Sequence, residues 1–313
     1  MTVCVADDTL GRLARRQADL FRRVAEGTVD ADQAMDGLQL IIEGKFASNL
    51  EMGDTMAVLS ETVRVIKEDL PYANEKTDTN RAYPSNYKAR PAQQQANFWK
   101  KHYKKLDDSH VEQLSSGAFP DWADGWLVCP KPTAISGLKE ISGEEPPSFD
   151  DHWRTARVTI LNLLKKVRKN FRNWLEGKLG PEYSRLTDLT AQALERLCKE
   201  TPGDFLVIPF QSGFHWRGCS VRHVRVRFEE NEFGMCTFLA GCLLASHPER
   251  ITADDQLYLD CSGEERVPNG DGDFSNAPGF RWSDGELHLG YDWVSNVDGD
   301  FGSASCSAPV SAS

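Results

Sequence analysis

The 313-residue sequence contains no apolar run close to the roughly 20 residues that a membrane-spanning helix needs. Its first residues, Met1–Asp8, also lack the basic segment and the following apolar segment that mark a signal peptide. The sequence therefore predicts a soluble protein with no membrane span, and we expect it in the cytoplasm.

Four common catalytic and nucleotide-binding signatures are also absent from the sequence, namely the P-loop, GxGxxG, GxSxG and HExxH. Their absence argues against the common nucleotide-binding, hydrolase and zinc-protease classes. It leaves open an enzyme with an unfamiliar site.

Paired cysteines at metal-binding or redox spacing are missing, although the chain has eight cysteines. No CxxC pair occurs, and several cysteines lie inside apolar runs. Because the sequence carries no export signal, we expect reduced and mostly buried thiols instead of disulfides. The sequence predicts no cofactor.

Lysine is absent after Lys199, and the acidic charge is concentrated in the same part of the chain. The formal net charge is −11, and from Thr201 onward 7 basic residues, all arginine, stand against 17 acidic ones. That segment carries −10, whereas residues 1–200 carry −1. The asymmetry predicts a boundary near residue 200 and argues against nonspecific polyanion binding by the far C-terminus.

The order of predicted helices and strands is that of an α+β protein, with a mostly helical N-terminal part followed by a mixed, strand-rich C-terminal domain. The first part, 1–70, has the periodicity of a helical hairpin plus a third helix. A linker is predicted over 71–96, where aliphatic residues are few. Residues 97–200 form a mainly helical region with one short strand, and 201–313 form the α+β domain.

Within 201–313 the pattern predicts a β–β–α–β block, then acidic loops and a hairpin. The strands are predicted at Asp204–Phe210, at Val221–Phe228, where apolar residues alternate, and at Leu257–Cys261. The helix is predicted at Met235–Ser246. The hairpin spans Phe280–Trp293, with Asp284-Gly285 as its turn.

The region before residue 200 contains one predicted strand, Gly125–Cys129, and two long helical patterns. The first helix is predicted over 151–176, with an apolar stripe that includes Ile160, Leu164 and Phe171. The second is predicted over 181–200, where a proline suits the first turn. We expect the two helices to pack as an antiparallel pair.

Several short segments resemble a group of uncharacterised bacterial proteins, mainly over 200–313 and more loosely over 15–45. The segments are Pro202–Gln211, Trp216–Arg222, Asn231–Gly234, Ser246–Arg250 and Leu259–Gly263. The resemblance implies a bacterial, intracellular setting. It implies no activity, cofactor or catalytic residue.

The helix predicted over 151–176 has the most pronounced charge pattern in the sequence, because no acidic residue occurs between Asp151 and Glu176. Its basic residues are Arg154, Arg157, Lys165, Lys166, Arg168, Lys169 and Arg172. Such a face can bind nucleic-acid phosphates, an anionic membrane surface or an acidic partner. Alternatively, it is solvated or docks against the acidic C-terminal region of the same chain.

A second basic cluster lies on the predicted strand 221–228, where Arg225 and Arg227 would share one face. Arginine forks match phosphate and carboxylate oxygens bidentately, so the pair is an anion-binding candidate. The alternative is pairing with neighbouring glutamates, which is the more common outcome.

Histidine and cysteine recur at four-residue spacing in His215, Cys219 and His223, which are nitrogen and sulfur donors of the kind that zinc prefers. Gly218 and the strand-like pattern beyond it argue against one continuous helix, so packing is the competing interpretation. Cys261, at the end of a predicted strand, is a candidate nucleophile if a histidine such as His223 lies beside it. A structural cysteine is the alternative.

These features favour a non-enzymatic intracellular binding or assembly protein, which contacts nucleic acid, another polyanion or a protein partner through the helix 151–176. The alternative is an enzyme with a Cys/His or metal-dependent site in the C-terminal domain. The two hypotheses differ in whether His215, Cys219, His223 and Cys261 converge in one cleft. The nucleic-acid hypothesis also requires an open basic face.

Overall fold

A computed structural model describes residues 71–139, 145–229, 231–270 and 272–308. The predicted helices within 1–70 lie outside these residues. The predicted α+β class is confirmed, with the strands concentrated in the C-terminal half.

The α-helices of the described residues lie before residue 247, and the last six strands follow one another without an α-helix between them. The helices are α1 Ala92–His102, α2 Val111–Leu114, α3 Pro132–Ile135, α4 Phe149–Val167, α5 Asp188–Glu200, α6 Val221–Arg225 and α7 Thr237–Ser246. The strands are β1 Gly125–Pro130, β2 Phe171–Asn173, β3 Ser184–Leu186, β4 Phe205–Gln211, β5 Glu232–Gly234, β6 Tyr258–Asp260, β7 Glu264–Arg266, β8 Asn276–Ser283, β9 Glu286–Trp293, β10 Phe301–Ser303 and β11 Ser305–Ser307.

The smaller of two sheets has the strand order β1–β4–β11–β5. Strand β4 is buried along its whole length, as its continuous apolar sequence requires. It pairs antiparallel with β1 on one side and β11 on the other. The strands predicted at 125–129 and 204–210 are therefore confirmed within one residue at each end.

The larger sheet has the order β10–β6–β8–β7–β3, and β9 pairs with both β8 and β2. The predicted hairpin is confirmed as β8 and β9, and β8 begins four residues earlier than the sequence indicated, at Asn276. Asp284 and Gly285 both have positive φ, at 53° and 77°, which is the geometry of a two-residue type I′ turn. Strands from both sides of residue 200 pair in each sheet, since β1 pairs with β4 and β3 with β7.

Helix α7 lies at the centre of the core, and every one of its residues is buried. It is apolar all round, as a central helix must be. It packs on α4, and a side chain at Gly241 would meet Ile160 at 2.9 Å, so the two helices approach closely only because this position is glycine.

The prediction of a strand over 221–228 is wrong, because Val221–Arg225 forms helix α6. Ser220 caps this helix by accepting a hydrogen bond from the His223 backbone N–H. Val221 and Val224 are three residues apart and both buried, which suits a helical face. The alternation of valine and arginine is compatible with either structure, and the serine cap decides between them.

The helix predicted over 151–176 is too long, because α4 ends at Val167. Arg168 adopts an extended conformation, and its guanidinium donates to the Ile251 carbonyl. The chain then enters β2, where Phe171 pairs with Leu287 of β9. The helix predicted over 181–200 is also too long at its start, because β3 precedes α5.

The segment predicted as a linker, 71–96, contacts the C-terminal residues along its length. Lys76 forms a β-bridge with Cys219, and Ala82 forms one with Gln256. The Tyr83 ring stacks on the Arg250 guanidinium at 4.2 Å. Helix α1 begins at Ala92, inside the predicted linker.

A wholly buried ion pair, Arg157 with Glu264, joins α4 to the larger sheet. Arg157 also donates to the Ser184 hydroxyl at 2.8 Å and to the Leu179 carbonyl. The second oxygen of Glu264 accepts from the Thr237 N–H, at the start of α7, at 3.0 Å. One pair of side chains therefore joins two helices and two strands.

We expect Glu264→Gln to lower the free energy of unfolding by about 3–5 kcal/mol, because it leaves the Arg157 cation buried without its partner. The double variant Arg157→Met, Glu264→Leu should recover most of that loss, since it removes both charges. The measurement is urea denaturation followed by tryptophan fluorescence.

The matched control is Glu195→Gln, which breaks an exposed pair with Lys199. Its effect should stay below about 1 kcal/mol. A loss of that small size for Glu264→Gln would contradict the role given to the buried pair.

Candidate ligand-binding cleft

The basic residues of 151–176 do not share one face. Arg157 is wholly buried, and Arg168 is buried with its guanidinium on the Ile251 carbonyl. Arg154 donates to the Asp150 carboxylate and to a backbone carbonyl. These three cations stabilise the fold and are not available to a polyanion.

The other four basic residues are exposed and are called here the four-cation surface: Lys165, Lys166, Lys169 and Arg172. Lys165 lies 3.5 Å from the Glu176 carboxylate, and Arg172 lies 3.1 Å from that of Glu286. Within the described ranges, Lys166 and Lys169 make no ion pair. The surface is therefore partly neutralised by the chain itself.

The Arg225 and Arg227 side chains bond to the protein's own groups. Arg225 donates to the Ser262 carbonyl at 2.8 Å and to the Glu264 carbonyl at 2.9 Å, and burial lowers its pKa to about 10. Arg227 donates to the Pro71 carbonyl at 2.9 Å.

The three metal-ligand candidates have different environments. His215 is exposed and stacks on Trp122, whereas His223 is buried with Nδ1 2.8 Å from the Tyr72 carbonyl oxygen. Burial lowers the pKa of His223 and raises that of Cys219. Across the described part of the chain, no group of three His, Cys, Asp or Glu residues is placed to hold a metal ion.

Cys261 is wholly buried. Burial raises the pKa of its thiol well above the usual range, and Glu264 adds to the shift. The thiol therefore stays protonated at neutral pH, which is the opposite of what a nucleophile needs. The seven cysteines within the described residues are free thiols.

The residue before it, Asp260, points to the other face of the larger sheet. On the core face, Leu259, Phe280 and Leu289 lie opposite one another on β6, β8 and β9, and all three are wholly buried. Each of these residues has a neighbour on its own strand that lies on the opposite, outer face of the sheet. These neighbours are Asp260, Gly279 and Gly290, and they form a second row across the three strands.

The two glycines of this row leave a cavity of about 280 Å³ above the sheet. A side chain at Gly279 would meet the Asp260 carboxylate at 3.1 Å and the Phe301 ring at 3.4 Å. A side chain at Gly290 would meet the Trp174 ring at 3.7 Å. Carboxylate and aromatic rings therefore surround a floor that has no side chains of its own, and we call this space the Asp260 cleft.

Asp260 is only 9% exposed, and no donor within the described residues hydrogen-bonds to its carboxyl group. Burial raises its pKa to about 8, the negative charges of Asp292 and Asp298 act in the same direction, and Arg225 opposes them. The group is therefore mostly protonated at neutral pH. A buried, unpartnered carboxyl group at a cavity is the kind of perturbed group that marks a functional site.

Asp292, which also lines the cleft, is held in place by local bonds. One of its oxygens accepts from the Trp293 N–H at 2.7 Å, and the other accepts from the Asn296 side-chain amide at 2.9 Å. The carboxylate is therefore oriented before any ligand arrives.

Arg281 forms a wall of the cleft. Its guanidinium lies 5.0 Å from the centre of the Trp174 ring, and its buried Nε has no hydrogen-bond partner within the described residues. His288 lies beneath the same tryptophan, 4.7 Å between ring centres, with neither ring nitrogen hydrogen-bonded. Arg281 and His288 are opposite one another on β8 and β9, so both lie on the face of the sheet that Trp174 covers.

The rim of the cleft is aromatic. Trp174 is 49% exposed, and Trp293, on an adjoining hollow that also includes Asp260, is 57% exposed. These two rings give the rim an apolar surface that a ligand in the cleft can contact.

Sequence reasoning missed this site, although it singled out the neighbouring Cys261. The usable signal was a glycine inside each strand of the predicted hairpin, because interior glycine often marks a close approach by another group. Only the strand register places both glycines beside Asp260.

No family model, no curated protein and no solved structure matches the chain. Within the described ranges, no helix is long and apolar enough to cross a membrane. Inferences about function therefore depend on the geometry of the cleft.

The raised pKa of Asp260 makes the stability of the protein depend on pH. An unfolded aspartate has a pKa of about 3.9, and that of Asp260 in the fold is about 8. Between these values the folded state holds the additional proton, so the free energy of unfolding falls as pH rises, by up to about 1.4 kcal/mol per unit. Asp260→Asn should remove this contribution.

The measurement is urea denaturation between pH 5 and pH 8 for the wild type, Asp260→Asn and the exposed control Asp121→Asn. The control should keep the slope of the wild type. If the free energy of unfolding changes with pH in the same way for the wild type and Asp260→Asn, the pKa of Asp260 is not raised in the fold.

Proposed function

We propose that this protein binds a small polar ligand in the Asp260 cleft. Asp260 and Asp292 supply hydrogen-bonding carboxyl groups, and Arg281 supplies donors. The single observation that carries the proposal is the Asp260 carboxyl group, nine-tenths buried at a cavity and without a hydrogen-bond partner among the described residues.

Leaving such groups unpaired costs free energy. A buried polar group without a partner destabilises a fold by about 1–3 kcal/mol, and native structures contain few of them. The Asp260 cleft brings the unpartnered Asp260 carboxyl group to a cavity whose wall includes Arg281. A ligand that bonds to the carboxyl group would recover part of this cost.

The proposal agrees in kind with the non-enzymatic binding protein that the sequence favours. The Cys/His alternative receives less support, because Cys261 is a buried, protonated thiol and His215 lies exposed on an aromatic ring. The cytoplasmic, bacterial setting stays a prediction from the sequence.

The test is ligand-observed NMR with four neutral or charged probes: methyl β-D-glucopyranoside, acetamide, glycine and acetate. We expect at least one probe to bind the wild type and to lose at least tenfold in affinity in Gly290→Val. That variant fills the cleft beside Trp174, and position 290 does not need positive φ.

The matched control is Gly117→Val, since position 117 has open space around it and no positive φ. It should bind the probe like the wild type. The proposal fails if no probe binds, or if Gly290→Val and the wild type bind equally well.

We retain polyanion binding through the four-cation surface as a second candidate. The specific observation is that Lys166 and Lys169 are exposed, and that neither forms an ion pair within the described residues. A net charge of −11 opposes such binding, so any affinity must come from a local patch.

We expect Lys166→Gln, Lys169→Gln to weaken binding of a labelled single-stranded oligonucleotide and to reduce its salt dependence. The expected change in the slope of log K against log salt is about 1.4, because two phosphate contacts are lost. Fluorescence anisotropy across a salt series measures both. The control is Lys104→Gln, Lys105→Gln, which removes two exposed charges elsewhere. Equal effects from both variants would contradict a specific surface.

A further inference from the structure

We propose that the ligand of the Asp260 cleft is a neutral sugar, bound as a single ring. This inference rests on the proposed function and names its ligand class. It follows from the polar groups of the cleft, its aromatic walls and its size.

The polar groups of the cleft call for a ligand that both donates and accepts hydrogen bonds. Asp292 offers a carboxylate that accepts, and Arg281 offers guanidinium N–H groups that donate. A hydroxyl group has one donor and two acceptor sites, so neighbouring hydroxyls can satisfy both residues. Sugars carry hydroxyls on adjacent ring carbons, which matches donors and acceptors placed side by side.

The charge of the cleft favours a neutral ligand. The groups that face Asp260 electrostatically are the carboxylates of Asp292 and Asp298 and the cation of Arg225, and Arg281 adds a positive charge to the wall. With Asp260 protonated at neutral pH, the two negative charges of Asp292 and Asp298 are balanced by the two positive charges of Arg225 and Arg281. An ion entering such a site loses its hydration without a net opposite charge in return.

The walls of the cleft supply apolar surface for one face of a ring. Trp174 lies over Gly290, and Phe301 lies over Gly279, so aromatic rings stand on both sides of the glycine floor. Trp293 continues the rim toward the adjoining hollow. Aromatic side chains combine a large apolar surface with well-defined positions, and a sugar ring presents C–H groups between its hydroxyls.

The dimensions of the cleft limit the ligand to one ring. Its volume of about 280 Å³ is near the lower end of ligand pockets, which span roughly 300–1,000 Å³. The adjoining hollow, which shares Asp260, Asp292 and Phe301 with the cleft, holds only about 10 Å³. A second ring has no space there, so a disaccharide gains nothing over a monosaccharide inside the cleft.

The experiment is isothermal titration of the full chain with methyl β-D-glucopyranoside, methyl β-D-galactopyranoside and methyl α-D-mannopyranoside. Glycerol provides hydroxyls without a ring, and cyclohexanol provides a ring with one hydroxyl. We expect one glycoside to bind at least tenfold more tightly than either comparison compound. Cellobiose should not bind more tightly than methyl glucoside.

Two variants connect the binding to the cleft. Gly290→Val and Trp174→Ala should each weaken the glycoside at least tenfold, whereas Phe119→Ala, which removes an exposed ring elsewhere, should not. Trp174 is half exposed, so its removal takes little from the core; thermal unfolding of each variant verifies this. Binding that survives both cleft variants would overturn the inference.

The remaining outcomes separate this inference from the proposed function. If glycine, acetamide or acetate binds, Gly290→Val abolishes that binding and no glycoside binds, the sugar inference is wrong and the proposed function stands. If no sugar, glycine, acetamide or acetate binds, both are wrong.

Discussion

The buried ion pair between Arg157 and Glu264 is the interaction on which the rest of the structure depends. Through Ser184, Leu179 and Thr237 it joins the long helix α4, the start of the central helix α7 and two strands of the larger sheet. A pair without solvent must have its charges compensated within the protein, so its geometry admits little variation. The sheet is therefore fixed to the helices by one face, which is apolar, and its other face remains open to carry polar groups.

That open face explains why a carboxyl group can be buried without being satisfied. Asp260 lies at the end of a strand whose neighbours, Gly279 and Gly290, carry no side chains. Larger residues there would fill the space above the sheet, and a polar one would give the carboxyl group a partner. The aromatic rings of Trp174 and Phe301 shield the same space from solvent. Burial and lack of partners thus come from one arrangement of strand register and glycine placement. The burial raises the pKa of Asp260, and the charges of Asp292 and Asp298 raise it further.

The sequence was sufficient where local chemistry determines the structure and insufficient where strand pairing does. The hairpin turn at Asp284-Gly285 and the apolar strand over 205–211 follow from residue type and were predicted. The end of α4 was not predicted, because Phe171 belongs to a strand and pairs with Leu287, which lies more than a hundred residues later. The binding site was missed for the same reason. Cys261 and Asp260 are adjacent, but a step of one residue along a strand changes the face, and only the register with β8 and β9 shows which face is open.

The arginines after Thr201 support the assignment of Arg281 to the ligand. This part of the chain contains no lysine, and its guanidinium groups mostly bond to backbone carbonyls and carboxylates, as Arg225 and Arg250 do. Among the described residues, two side chains depart from this use. Arg217 is exposed over a phenylalanine ring, where water can solvate it. Arg281 instead holds a buried, unpaired Nε at the wall of a cavity. Arg266 also leaves a buried Nε unpaired, but its Nη1 donates to the Lys178 carbonyl. Arg281 differs because it makes no hydrogen bond within the described residues and lines the cavity, where a molecule bound in the cleft can contact its guanidinium.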